Sequence, residues 1–320
     1  MGRGPAAALI LAMVALPIGS CQHQSARDAG GEPLRSSVRV GLTFTRIGTG
    51  RGIRFEGQGH FARYAAVDAD RVPTILGLPD RDSIPLDGCR VVDSASELDR
   101  ALSAANSPID VKLLDAGRLI AKGPIDATAL VPRHYPELTP YIAGVMYRAE
   151  ESPSLDLDYG ANYEVAGEGG EDIGPFTAQV HAPRAFPTLD VPVYQRGGDL
   201  EVRWQNAGEA SDPMLLTVAW TSKAGALEVR CRVRDDGSFT VPRELLAAMP
   251  APSQLTTAEV SAVRARRSPL AAPGASTGEL EVALREVLPL PVSSWPAPGS
   301  GLPSPATAAP PSAPPTEVER

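Results

Sequence analysis

Apolar and polar residues alternate with a period of two along much of this chain. That spacing turns one face of a β-strand toward a core and the other toward water. Val38, Val40, Leu42 and Phe44 alternate with Arg39, Gly41, Thr43 and Thr45, and Leu200, Val202 and Trp204 alternate with Glu201 and Arg203. The clearest case runs from Tyr163 to Ala182, where Tyr163 and Val165, then Phe176, Ala178 and Val180, share one face on either side of a glycine-rich turn. Gly167, Gly169, Gly170 and Gly174 permit the positive dihedrals that a reversal needs. Pro175 has no amide proton and suits a strand start or a sheet edge. This hairpin predicts the centre of a β-domain.

Further strands are predicted over 53–55, 61–67, 111–130 with a break at 115–117, 141–148, 226–233, 238–241 and 255–266, and residues 280–287 read as strand or helix. Residues 214–220 are apolar almost without a break, as in a strand covered on both sides. Asp115-Ala116-Gly117 is a turn signal, and Asp235-Asp236-Gly237 predicts a tight hairpin between its flanking strands. Helices are few and short: 96–105, with Leu98 and Leu102 four apart behind Ser94 or Ser96, and 242–249, with proline in its first turn. Many short strands separated by turns predict a mostly-β protein, with an immunoglobulin-like β-sandwich favoured over a barrel.

The ends depart from this pattern. Residues 1–21 read as an export signal, with Arg3 before an apolar run over 6–16 that is too short to span a bilayer comfortably. The signal ends in Ile18-Gly19-Ser20-Cys21, which resembles the bacterial lipobox and implies lipid attachment at Cys21. Gln22 after that cysteine implies the outer membrane, facing either the periplasm or the cell surface, with the membrane as partner through the lipid. Residues 22–36 are polar and glycine-containing, the composition of a flexible tether. The β-rich body divides into 37–150 and 151–288, as two domains or as one unit if a disulfide joins them. Residues 289–320 are dominated by Pro, Ala, Ser and Gly, a composition that predicts disorder.

Net charge is −8, so there is no basic surplus for nucleic acid. With Cys21 set aside, Cys89 and Cys231 remain to pair in an oxidising compartment. Glu150, Glu151, Asp156 and Asp158, with Glu168, Glu171 and Asp172 in the glycine turn, are candidate calcium ligands, but no EF-hand or nonapeptide spacing accompanies them. His23, His60, His134 and His181 are scattered, and each is expected to be exposed or satisfied. Trp204 and Trp220 fall on strand patterns and are expected in the core, and the arginines of 264–267 at a solvated strand end. The sequence contains no nucleophile elbow, zinc-helix motif, phosphate loop or dinucleotide fingerprint.

Leu114-Asp-Ala-Gly, the 163–176 hairpin, Trp204 and the run Asp236-Gly-Ser-Phe-Thr-Val-Pro together resemble a group of uncharacterised secreted or lipid-anchored bacterial proteins of the myxobacterial type. The resemblance spans residues 113–250 and implies an exported β-protein without assigned activity, cofactor or metal. The leading expectation is a non-catalytic envelope lipoprotein that binds or scaffolds an envelope protein or a glycan. Two alternatives stand beside it: a secreted hydrolase-type enzyme with a site of dispersed loop carboxylates, and a calcium-dependent adhesion module.

Overall fold

In strand β1 (Arg35–Ile47) the even-numbered residues Val38, Val40, Leu42 and Phe44 are buried, while Arg39, Gly41 and Thr43 face the opposite side. The computed structural model describes residues 34–293 except 49, 51, 66–70, 77, 79–80, 94–95, 97–109, 140–141, 151–154 and 206–212. The expected signal, Cys21, residues 22–33 of the tether, most of the 96–105 helix and residues 294–320 of the tail lie outside the described residues. Arg35 and Ser36, expected in the tether, instead open β1, and residues 289–293, expected to be disordered, hold the buried Leu290 and the strand Val292–Ser293, because they hydrogen-bond and pack on the body.

After β1 come β2 (Ile53–Ala65), the one-turn helix α1 (Val72–Ile75), β3 (Gly88–Val92), β4 (Asp110–Leu113), β5 (Leu119–Lys122), β6 (Ala127–Thr139) and β7 (Ile142–Ala149). Then follow β8 (Asn162–Gly167), β9 (Phe176–His181), β10 (Leu189–Asp190), β11 (Tyr194–Gln195), β12 (Leu200–Trp204), β13 (Met214–Ser222) and β14 (Gly225–Val233). The chain closes with β15 (Ser238–Val241), the one-turn helix α2 (Arg243–Leu246), β16 (Leu255–Pro269), β17 (Thr277–Pro289) and β18 (Val292–Ser293). The protein is mostly β, as the alternation predicts.

Twelve strands form one sheet in the order β14-β13-β16-β17-β1-β2-β4-β7-β6-β5-β8-β9. β1 and β17 are parallel and in register from Ser37 opposite Thr277 to Ile47 opposite Val287, which sets the two ends of the body side by side. The ladder does not stop at residue 150, because β8 pairs with β5 and β17 with β1. The sheet curls until its last strand, β9, lies against β16 and β17. Inside the curl a first core gathers Val40, Leu42 and Phe44 of β1 with Phe61, Tyr147 and Tyr163 and with Leu280, Val282 and Leu284 of β17.

A second core lies between β13, β14 and β16 and a separate three-stranded layer, β10-β12-β15. Trp204, Trp220, Val202 and Val241 are buried in it, as expected of the two tryptophans. The Asp235-Asp236-Gly237 signal does not make a hairpin. β14 pairs with β13 and β15 with β12, so this turn is the corner at which the chain passes from one layer to the other. Arg264 is likewise no solvated strand end: it is 2% exposed and lies where the layers meet. Its guanidinium donates to both carboxylate oxygens of Asp235 at 2.6 and 2.8 Å and to the carbonyls of Ala185 and Gln205, while Trp204 Nε1 donates to Asp235 Oδ1 at 2.9 Å. A charge this deep is tolerable only when paired and fully hydrogen-bonded, a condition met here by partners distant in sequence.

Candidate functional site

The polar face of the large sheet, opposite both cores, is crossed by a strap that comprises residues 71–76 and 81–87, after which residues 88–92 pass the edge of β14 and Cys89 packs against the second core. One end is apolar: Val72 and Ile75 of α1 pack on Ala62, Tyr64, Val111, Leu113 and Met146. In the middle Arg81 donates Nη1 to Glu281 at 2.9 Å, Asp82 meets Arg267 at 3.0 Å, and Ile84 covers Leu215, Val263 and Ala283. Leu215 is thus buried on the face opposite the second core, as the unbroken apolar run of β13 predicts. At the far end the Asp87 amide donates to the Arg232 carbonyl at 2.7 Å, occupying part of the edge of β14. Cys89 and Cys231 then form a disulfide, with an S–S distance of 2.07 Å.

A groove of about 290 Å³ lies on the same face, floored by the sheet and bounded on one side by Leu78 and Arg81. Smaller hollows of about 260 and 220 Å³ adjoin it, sharing Arg39, His60 and Leu78 on one side and Arg81, Leu215 and Arg267 on the other. The strand registers set the groove's layout. Gly41 of β1 lies between Glu281 of β17 and Gln58 of β2, and Arg39 lies between Glu279 and His60.

His134 and His181 are exposed, as expected, and His23 lies outside the described residues. His60 departs from that expectation. It is 4% exposed, its Nδ1 has no hydrogen-bond partner, and its Nε2 lies 3.4 Å from Gln58 Oε1. Burial, then the charges of Arg148 and Arg39, hold its pKa down to about 4, so the imidazole is neutral at pH 7. The Nε atoms of Arg81 and Arg285, which also line the groove, are buried without an acceptor. Period-two patterning marks these positions only as the polar side of their strands. That β1, β2, β16 and β17 become neighbours, and that a strap covers them, is not written in local spacing.

The acidic candidates do not converge. Asp172 accepts from Lys112 and from the Asp115 amide, each at 3.2 Å, tying the glycine turn to the end of β4. Asp156 and Asp158 instead flank the Tyr163 hydroxyl, which donates to the Asp156 carbonyl and accepts from the Asp158 amide. Glu150, Glu168 and Glu171 are exposed, and Glu151 lies outside the described residues. Among the described residues no three of His, Cys, Asp and Glu gather as a metal-holding group, and no helix is long and apolar enough to cross a membrane.

No family model and no curated protein matches the chain. Among solved structures, the yeast delta-COP-I mu-homology domain complexed with Dsl1 WxWxV peptide is 12% identical, with 82% of this chain and 96% of that chain covered and a TM-score of 0.19. The yeast delta-COP-I mu-homology domain alone is 14% identical over the same shares, also at 0.19. Likeness at that level carries no argument about fold or function.

Proposed function

We propose that this chain is an exported lipoprotein, tethered to a bacterial outer membrane through Cys21, whose body works by binding a ligand in the groove on the polar face of the large sheet. The lipobox-like Ile18-Gly19-Ser20-Cys21 supports the anchor. The observation that carries the binding role is the groove itself, about 290 Å³ on the polar face of the large sheet and lined by charged side chains of both signs from β1, β2, β14, β16 and β17. The groove's carboxylates are partly engaged, Glu281 by Arg81 and Arg267 and Glu228 by Arg230, which favours binding over carboxylate catalysis.

Intact mass spectrometry of the mature protein from native membranes tests the anchor. The expected mass begins at Cys21 with diacylglyceryl and acyl groups and gains two hydrogens on reduction of Cys89–Cys231. An unmodified chain cleaved elsewhere would overturn the lipoprotein reading.

A further inference from the structure

Two charges of the groove are left unmatched, and their separation points to a ligand class, an inference that rests on the binding role proposed above. Glu259 of β16 and Arg285 of β17 both line the groove and are half-buried, and neither has an ion pair among the described residues. The other charges of the lining have partners. Glu281 meets Arg81 at 2.9 Å and Arg267 at 3.0 Å, Glu228 meets Arg230 at 2.7 Å, Glu56 meets Arg54 at 3.3 Å, and Arg39 lies 3.9 Å from Glu279. In the β16–β17 ladder Glu259 is opposite Pro289 and Val263 is opposite Arg285. The two unmatched charges are therefore four residues apart along the strands, about 13 Å.

Between them the floor includes Ser261 and Thr217, which sit directly opposite each other on β16 and β13. Hydroxyls both donate and accept, so they suit the N–H and C=O groups of an amide equally. None of the residues lining the groove carries an aromatic ring on which a sugar could stack. A carboxylate at one end of such a trough and a guanidinium at the other complement a zwitterion of matching length. An extended chain advances about 3.3 Å per residue, so about four residues hold a free α-ammonium and a free α-carboxylate about 13 Å apart. We infer that the groove takes a short linear peptide with both ends free, about four residues long. Its ammonium meets Glu259, its carboxylate meets Arg285, and its amides lie over Ser261 and Thr217. Recognition through the end groups selects for length and free termini rather than for side chains.

The test is calorimetric titration of the full mature chain in detergent micelles with tetra-alanine, its N-acetylated and C-amidated forms, di-alanine and the neutral sugar cellotetraose. Tetra-alanine is expected to bind, and di-alanine, too short to reach both charges, to bind about tenfold or more weakly. Acetylation should weaken tetra-alanine about tenfold in the parent chain but leave its binding to Glu259→Gln unchanged. Amidation should do the same in the parent and leave Arg285→Gln unchanged. A merely structural role for either side chain would not produce that matched loss, and both variants should melt as the parent does. If tetra-alanine does not bind, or if its blocked forms bind the parent as tightly as the free peptide, the inference fails. If cellotetraose binds where tetra-alanine does not, the peptide assignment fails while the groove remains a binding site.

Discussion

At the scale of single residues, the chain's most consequential side chains are polar groups in dry places. His60 titrates near 4 in the folded protein against 6.5 for the free side chain. As pH falls below about 6.5 the unfolded chain takes up a proton that the folded chain refuses. Its contribution to stability is therefore intact above that pH and is lost progressively down to about 4, by roughly 3 kcal/mol in all. Urea denaturation between pH 4 and 7 should show this slope in the parent and a shallower one in His60→Gln. Arg264 is the opposite case, a buried charge with every partner in place. Arg264→Leu should cost about 3–5 kcal/mol, because it strands the Asp235 carboxylate, and replacing Asp235 as well should recover part of that loss in a double-mutant cycle. Gly117 has φ +70° and packs against the Gly169 backbone, so Gly117→Ala should destabilise by at least about 1–3 kcal/mol in the same assay.

At the scale of elements, the strap does two jobs. It bounds one side of the groove through Arg81, and it occupies part of the β14 edge, which would otherwise offer unpaired backbone groups to another chain. The disulfide closes a loop spanning 142 residues, worth about 4–5 kcal/mol in the chain-entropy model. Reduction should lower the melting temperature accordingly and raise hydrogen exchange first in residues 81–92. The central hairpin illustrates the legible side of this scale. β8 and β9 pair from Asn162 opposite His181 to Gly167 opposite Phe176, and β9 buries alternate residues as its period-two pattern predicts. Asp235–Gly237 illustrates the other side: a strong turn signal says that the chain reverses, not which strands it joins.

At the scale of the whole molecule, the parallel pairing of β1 with β17 closes the body on itself. Strands on either side of residue 150 share one sheet, and the first core takes residues from both. Residues 34–293 should therefore unfold in a single calorimetric transition, and residues 151–288 expressed alone should fail to give a cooperative one. Two separate transitions would show that the halves are independent.

Strand content, the polar and apolar sides of β1, β8, β9 and β12, the short helix near Pro242 and the pairing of the two cysteines were legible in the sequence. Each rests on local geometry or on simple elimination: side-chain period, turn chemistry, proline's fixed dihedral and the count of thiols. Tertiary structure alone decided the order of the strands, the burial of Arg264 and the placing of His60, Arg81 and Arg285 in the lining of one groove. Those depend on contacts between residues tens to hundreds of positions apart, and a period of two says which face a residue takes but not what that face will meet.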